Sequence, residues 1–230
     1  DVAACAPLLS GLAAEAAQAC AAATLNPLMA LGTAHASALR AELSRLLSAG
    51  QTMHRDALAQ VLHPLSGVDL HLPVKVGGYT DFFASVHHAT NAGRLFRPDA
   101  PLLPNYKYVP VAYSGRANSV RVGGASVQRP WGQLKAAEQS APVFAPAQRL
   151  DYEVELGMYI GAPSQAGRPL AVDHAWQHVF GFSLLNDWSA RDIQAWEYQP
   201  LGPFLAKSFA TSVAPWVVTA QALAPFRQAM

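Results

Sequence analysis

The sequence predicts an α+β protein in which a helical segment, residues 1–70, precedes a mainly β domain, residues 71–230. Apolar residues recur every three or four positions in the first third, as in amphipathic helices. From Pro98 to Pro146, short β-prone runs alternate with proline and glycine, as in connected strands. The chain is 51% hydrophobic over 230 residues, enough to bury a sizeable core.

Three stretches of the first segment predict helices: "PLLSGLAAEAAQACAAA", "ASALRAELSRLLSAG" and "MHRDALAQVLHPL". In the second stretch Leu39, Leu43, Leu46 and Leu47 form one stripe, and Gly50 is the predicted stop. Pro64 ends the third helix, because the residue before a proline disfavours helical backbone.

The later part of the chain predicts strands at "VDLHLPVKVGG", "VPVAY", "SVRVGG", "RLDYEVELGMYIGA" and "SVAPWVVTAQAL". The stretch "VDHAWQHVFGFSLLND" predicts a short helix that leads into a strand. "SARDIQAWEY" predicts a short helix, with Ser189 as its N-cap.

Composition argues against several classes of partner. Charged residues make up 13% of the chain, the net charge is +1, and no basic run occurs, so we expect no nucleic-acid partner. No apolar stretch is long enough for a bilayer, and the N-terminus lacks the basic region of a signal peptide. Cys5 and Cys20 fit no zinc pattern, which favours reduced thiols in a cytoplasmic protein over a disulfide.

The strand "DYEVELGMYIG" places three acids on one face, because side chains alternate along a strand. Asp151, Glu153 and Glu155 share that face, and Tyr152, Val154, Leu156, Met158 and Ile160 share the other. Two interpretations stay open at this point. The acids either face water, or they point into a site that holds Mg²⁺ or Ca²⁺, which prefer carboxylate oxygens.

Other polar residues are candidates for the same site. Asp187 follows an apolar run, where an aspartate faces a site, caps a helix or pairs with a cation such as Arg191. Asp81 follows two glycines and is either a turn residue or a ligand. His88 is a general base only if a metal or carboxylate lies nearby. Lys207 follows "GPFLA" and either pairs with an anion or extends its amine to water.

Several stretches together resemble one family, the fumarylacetoacetases. They are "YTDFFASVHHATNAGRLFR", "LPNYKYVPVAYSGRANSV", "RPWGQ", "LDYEVELGMYIG", "HVFGFSLLNDWSARDIQAWEYQPLGPFLAKSF" and "VAPWVV". The resemblance is strong from Gly78 to Phe226 and fainter before it. It implies a mixed β-roll for the second domain. It also implies that the chain lacks a preceding SH3-like barrel and the later strands that complete the roll.

The resemblance implies a role for each matching position. The implied metal ligands are Asp81, Glu153, Glu155 and Asp187, with Lys207 and Thr211 at a second cation site. His88, and not His87, is the implied base, and Arg191, Gln194 and Lys207 are the implied oxyanion donors. The implied substrate contacts are Phe83, Arg97, Tyr113, Gln194 and Tyr198. Three positions depart from the family pattern: Phe83 replaces a tyrosine, Ser114 replaces a common histidine, and Ala210 replaces a glycine.

The implied activity is metal-dependent hydrolysis of a carbon–carbon bond in a diketo acid, which yields fumarate and acetoacetate in tyrosine and phenylalanine degradation. The implied assembly of the whole protein is a homodimer. One alternative is a related hydrolase, decarboxylase or isomerase that acts on another β-keto acid. Another is a catalytically incomplete fragment that binds metal only.

Overall fold

Four α-helices occupy the first third of the chain in the computed structural model, which describes residues 1–228. Alanines of the first helix pack against leucines of the second and third, and these small side chains allow the helices to approach closely. The buried residues of this core are Ala16, Ala17, Leu28 and Leu39. The helices are α1 (Gly11–Ala19), α2 (Asn26–Ala30), α3 (Thr33–Leu46) and α4 (Arg55–Val61).

The predicted strand over residues 68–78 is wrong, because this segment is an irregular connection in the structure. Its backbone groups bond to the helical segment and not to a neighbouring strand. Leu25 donates its N–H to the carbonyl of Pro73. The side-chain amide of Asn26 accepts from the N–H of Lys75 and donates to its carbonyl. An alternating pattern therefore marks extended backbone here without marking a strand.

The remainder of the chain contains nine strands and five α-helices among the described residues, so the protein is α+β. In chain order they are β1 (Thr80–Phe82), α5 (Val86–Phe96), β2 (Ala112–Ser114), β3 (Val120–Val122), β4 (Trp131–Leu134), β5 (Val143–Pro146), β6 (Leu150–Ile160), α6 (Val172–Ala175), β7 (Val179–Ala190), α7 (Arg191–Glu197), α8 (Leu205–Ser208), β8 (Thr211–Val213), β9 (Val218–Thr219) and α9 (Ala220–Leu223).

A mixed five-stranded sheet forms the centre of this second part. Its order is β3-β8-β7-β6, and β9 also pairs with β7. The pair β3–β8 is parallel, and the pairs that β7 makes are antiparallel. The longest pairing joins β6 to β7 over almost their whole length. Two further antiparallel pairs, β1–β2 and β4–β5, lie outside this sheet.

The two faces of β6 alternate as predicted, and the acidic face is the more buried one. Glu153 and Glu155 are half-buried, whereas Val154 and Leu156 on the opposite face are 74% and 62% exposed. The interpretation of the acids as a water-facing row is therefore wrong for these two glutamates. It holds for Asp151, which is exposed at the start of the strand.

Two predictions near the later strands are also wrong. Ser189 is not an N-cap but a buried residue of β7, and its hydroxyl donates to the carbonyl of Asp187. The single strand predicted at "SVAPWVVTAQAL" is two short strands followed by α9. Pro215, which has no N–H for a ladder, lies between these strands, and the Thr219 side chain caps α9 by accepting from the N–H of Ala222.

Among the described residues, no helix has the length and apolar character that a bilayer crossing requires.

Candidate active site

Pairing in the central sheet brings three predicted site residues into one row. Glu153 of β6 lies opposite Asp187 of β7, and Asp187 lies opposite Thr211 of β8. Residues that lie opposite each other in antiparallel strands project to the same face, with Cβ atoms about 5 Å apart. Asp187 and Thr211 are each only 1% exposed, so the row crosses the sheet at a buried position.

Three carboxylates converge beside this row. Asp81, Glu155 and Asp187 each offer an oxygen, and these oxygens lie within 4.8 Å of one another. Asp81 comes from β1, outside the central sheet, so the group joins the central sheet to the β1–β2 pair. Such a set of oxygen donors can hold a metal ion.

Two tyrosine hydroxyls hold the aspartates in place. Tyr113 lies 2.7 Å from Oδ2 of Asp81 and 3.1 Å from Oδ2 of Asp187, so its hydroxyl bridges the two carboxylates. Tyr79 donates to the same Asp81 oxygen at 3.3 Å. Burial and the adjacent aspartates raise the pKa of both tyrosines, so both remain protonated donors.

The hydrogen bonds to the two aspartates leave oxygen atoms available to a cation. Among residues 1–228, every side-chain donor to Asp81 and Asp187 reaches Oδ2, and none reaches Oδ1. The donor set is therefore chemically suited to a hard divalent ion, which takes carboxylate oxygens as ligands.

Two cationic side chains form ion pairs with carboxylates of the site. The ammonium of Lys207, a residue 6% exposed, lies 2.7 Å from Asp187 and 2.8 Å from Glu153. Arg191, the first residue of α7, lies 2.6 Å from Glu153 and 3.0 Å from Asp151. Asp187 lies within β7, so the helix-cap interpretation is wrong, and its ion pair is with Lys207 and not with Arg191. Its role as a metal ligand stays a prediction.

These neighbours give the carboxylates different proton affinities. Burial is the main cause that raises the pKa of Glu155 to about 7, and the charges of Asp81 and Asp187 raise it further. Burial also raises the pKa of Asp187, although the Lys207 charge opposes it. Burial acts on Glu153 in the same direction, but hydrogen bonds and charge from Lys207 and Arg191 outweigh it, so the pKa of Glu153 is lowered.

Helix α7 presents its polar groups to the site from its first turns. Arg191 donates through Nη1 to the side-chain oxygen of Gln194 at 3.0 Å, which leaves the Gln194 amide nitrogen as a free donor within that pair. Asp192 fixes the helix start, because its Oδ2 accepts from the N–H groups of Gln148 and Arg149 at 2.6 and 3.2 Å.

The other predicted site residues lie in more exposed positions. His88 is exposed on α5, where its ring meets Phe83 edge-on with 5.0 Å between ring centroids. Arg97 follows α5 and donates to the carbonyl of Pro101 at 3.3 Å. Tyr198 follows α7 and is 46% exposed. No hydrogen bond joins His88, Arg97 or Tyr198 to the carboxylates within the part of the chain that the structure describes, and their roles stay predictions.

Sequence reasoning missed three residues that support the site. Tyr79 donates to Asp81, Asp192 holds the start of α7, and Glu197 holds the segment before Lys207. Asp192 and Glu197 accept from backbone N–H groups outside their own helix, a role that leaves no mark in residue spacing. Tyr79 lies two residues before Asp81, but spacing alone does not distinguish it from other aromatic residues.

The fold and these carboxylates place the protein in the class of α+β proteins with an acidic site suited to a metal ion. Comparison with known proteins identifies the family. The model described as "Fumarylacetoacetate (FAA) hydrolase C-terminal" matches residues 78–230, and "Fumarylacetoacetase N-terminal" matches residues 1–73. The chain belongs to the fumarylacetoacetate hydrolase family. The family assignment predicted from the sequence is thus confirmed.

Individual relatives agree with this assignment. Curated fumarylacetoacetases from Oryza sativa and Dictyostelium discoideum are 47% and 48% identical over 88% of this chain. The chain spans 48% and 49% of their lengths, about half of each relative. The crystal structure of a proposed HpcE protein from Mycobacterium smegmatis shares the fold, with a TM-score of 0.54 and 23% identity over 90% of this chain and 60% of that one.

Proposed function

We propose that this chain forms part of an enzyme that hydrolyses fumarylacetoacetate to fumarate and acetoacetate, the last step of tyrosine and phenylalanine degradation. One observation carries the proposal. A group of three carboxylates suited to a divalent cation lies directly beside Lys207. Arg191, which shares Glu153 with Lys207, and Gln194, which pairs with Arg191, carry further hydrogen-bond donors. Fumarylacetoacetase is also the name of the curated relatives.

The proposed cation is Mg²⁺ or Ca²⁺, because the available ligands are carboxylate oxygens. We assign Asp81, Glu155 and Asp187 to this ion, with Glu153 as a further ligand once its ion pairs rearrange. Lys207 and Thr211 would lie at the second cation site. When bound, a divalent ion polarises a diketone carbonyl of the substrate.

The residues of the chain would supply the proton transfers and the oxyanion contacts. His88 would accept a proton from water while the water oxygen bonds to the carbonyl carbon. Arg191, Gln194 and Lys207 would donate hydrogen bonds to the resulting oxyanion. Lys207 has three N–H donors and uses two on Asp187 and Glu153, which leaves one for substrate. When the carbon–carbon bond breaks, its electron pair leaves as the enolate of acetoacetate, which then takes a proton.

Substrate contacts are proposed for Phe83, Arg97, Tyr113, Gln194 and Tyr198. Arg97 is the cation of this set and suits a substrate carboxylate. Phe83 has no hydroxyl, so one hydrogen bond expected from the family tyrosine is lost at this position. Hydrogen bonds from Tyr113 to Asp81 and Asp187 place its hydroxyl at the edge of the proposed metal site.

For the whole protein we propose a homodimer in the cytoplasm. Cys5 and Cys20 are both free thiols, which supports a reducing compartment. The assembly rests on the family resemblance and is tested by light scattering of the purified protein.

The decisive measurement is the absorbance decay of fumarylacetoacetate with Mg²⁺, with Ca²⁺ and after EDTA. It is made on this chain and on a longer version that carries the natural ends. Metal-dependent decay supports the proposal. Metal binding without decay in either version overturns it and directs the search to another β-keto acid or to a metal-binding role alone.

A pair of adjacent histidines provides a matched control for the base. His87 and His88 are both exposed on α5. We expect His88→Ala to abolish turnover and leave metal binding intact, whereas His87→Ala retains activity. Turnover by the His88→Ala enzyme would refute the assignment of the base.

A further inference from the structure

The side chain of Glu197, at the end of α7, accepts hydrogen bonds from the backbone of the next helical segment. Its Oε1 accepts from the N–H of Phe204 at 2.8 Å and from the N–H of Ala206 at 2.7 Å. Hydrogen bonds with a carboxylate acceptor are about twice as strong as neutral ones. Within residues 1–228, Glu197 forms no ion pair with a cationic side chain.

The segment that Glu197 holds is too short to stabilise itself. Helix α8 has four residues, and an isolated helix of that length is unstable in water. Ala206 is fully buried against Ala190 and Ile193, so its N–H has no access to water and depends on Glu197 for a partner. A buried N–H without a partner would cost the free energy of its desolvation.

Lys207 follows Ala206 directly. Its ammonium reaches Asp187 at 2.7 Å and Glu153 at 2.8 Å. The hydrogen bond from Ala206 to Glu197 therefore fixes the backbone position immediately before the lysine. The loop between the two helices adds its own constraint, since Gly202 donates to the carbonyl of Tyr198 at 2.7 Å with a φ of 95° that favours glycine.

We propose that Glu197 is a positioning residue, whose carboxylate sets the place of Lys207 relative to Arg191 and Gln194. Helix α7 carries Arg191 and Gln194 in its first four residues and Glu197 at its end. One short helix thus bears two of the proposed oxyanion donors and the group that holds the third. This inference rests on the proposed function for its catalytic consequence, but the placement of Lys207 is independent of the substrate.

The first test measures that placement without substrate. Acylation of Lys207 by an amine-reactive reagent is followed by mass spectrometry in the protein with its natural ends. We expect Glu197→Ala to speed the labelling of Lys207 several-fold, because the buried ammonium becomes accessible. Glu197→Gln keeps an oxygen acceptor for both N–H groups and should label like the wild type. Equal labelling of the wild type and Glu197→Ala would overturn the proposal.

The second test measures catalysis. Because small misplacements of a reacting group cost up to about 100-fold in rate, we expect Glu197→Ala to lower kcat by about 10- to 100-fold. We expect KM to change little and Glu197→Gln to restore most of kcat. Glu42→Ala, which removes a carboxylate that pairs with Arg45 far along the chain on α3, is the matched control and should leave both constants unchanged.

The two tests separate the possible failures. If the wild type does not turn over fumarylacetoacetate but Lys207 labelling follows the expected order, the proposed function fails and the positioning role stands. If kcat falls equally in Glu197→Ala and Glu197→Gln while labelling is unchanged, the positioning role fails. Should Glu197→Ala not fold, Glu197→Asp, with its carboxylate withdrawn by one methylene, replaces it with the same expectations.

Discussion

Glu153 and Glu155 lie two residues apart on the same face of β6, and both are half-buried, yet their pKa values shift in opposite directions. Burial raises the pKa of each. Lys207 and Arg191 reverse this shift at Glu153, whereas Asp81 and Asp187 reinforce it at Glu155. The difference shows that the protein itself neutralises one glutamate and leaves the other without a cationic partner of comparable strength.

The comparison locates the position where an added cation is most favourable. A divalent ion beside Glu155 would relieve repulsion among three carboxylates. Beside Glu153 it would have to compete with Lys207 at 2.8 Å and Arg191 at 2.6 Å. We therefore expect Glu155 to be the stronger ligand of the two, although the sequence gives them equivalent positions in the "E-V-E" repeat.

The largest expected effect comes from removing the cation that makes the two glutamates different. Lys207→Met leaves the buried Asp187 and the half-buried Glu153 without their ammonium partner. Breaking a buried pair in this way costs about 3–5 kcal/mol, so we expect a loss of that size in the free energy of unfolding without metal. Denaturant titration measures it, and saturating Mg²⁺ should return part of the loss.

Lys107→Met is the control for that experiment. Lys107 is exposed and forms no ion pair in the described part of the chain. Its substitution should change stability by less than about 0.5 kcal/mol. A Lys207→Met protein as stable as this control would show that Glu153 and Asp187 do not depend on the ammonium.

A smaller effect is expected when each glutamate is neutralised in turn. The raised pKa of Glu155 means that the metal-free folded state binds a proton that the unfolded state has released. Stability from this group is full below the unfolded pKa, about 4.3, and is lost as pH rises towards 7. Glu155→Gln should therefore be more stable than the wild type at pH 8 by about 1–2 kcal/mol after allowance for solvent screening.

Glu153→Gln should give the opposite sign. The lowered pKa of Glu153 means that its ionised form stabilises the fold above the unfolded pKa and that this contribution is lost as pH falls through the folded value. At pH 8 the substitution should lower stability. Thermal unfolding in EDTA from pH 4 to pH 8 measures both variants. Saturating Mg²⁺ should favour the wild type over Glu155→Gln, and the same sign for both variants in EDTA would contradict the comparison.

The sequence predicted the strand and its acidic face but could not distinguish the two glutamates. Alternation along "DYEVELGMYIG" places both on one face whatever surrounds them. Their difference depends on Asp81 from β1 and Lys207 from α8, residues that reach β6 only through the tertiary fold. The same limit explains the incorrect prediction of a strand at residues 68–78, where Asn26 and Leu25 supply the hydrogen-bond partners of the backbone.

The family resemblance supplied what local patterns could not. It selected Asp81, Glu153, Glu155 and Asp187 from the 15 acidic residues of the chain, and the structure places oxygens of Asp81, Glu155 and Asp187 within 4.8 Å of one another. Glu153 pairs with Lys207 and Arg191 instead. It did not indicate the residues that hold this group in place. Tyr79, Asp192 and Glu197 act through one or two hydrogen bonds each, and the partners are known only once the chain is folded.

The smallest expected effect tests the exposed end of the same acidic face. Asp151 pairs with Arg191 at 3.0 Å, but its side chain is 49% exposed, and exposed pairs contribute between about 0 and 1 kcal/mol. A hydrogen bond from the N–H of Tyr152 is the main cause that lowers the pKa of Asp151, and the hydrogen bond and charge of Arg191 lower it further. Asp151→Asn should therefore change the free energy of unfolding by less than about 0.5 kcal/mol and leave Mg²⁺ affinity unchanged, since Arg191 keeps its shorter contact with Glu153.

Denaturant titration and calorimetry check both values. A loss as large as that of Glu153→Gln would mean that Arg191 is held mainly by Asp151, and that the buried and exposed ends of the acidic face act as one unit.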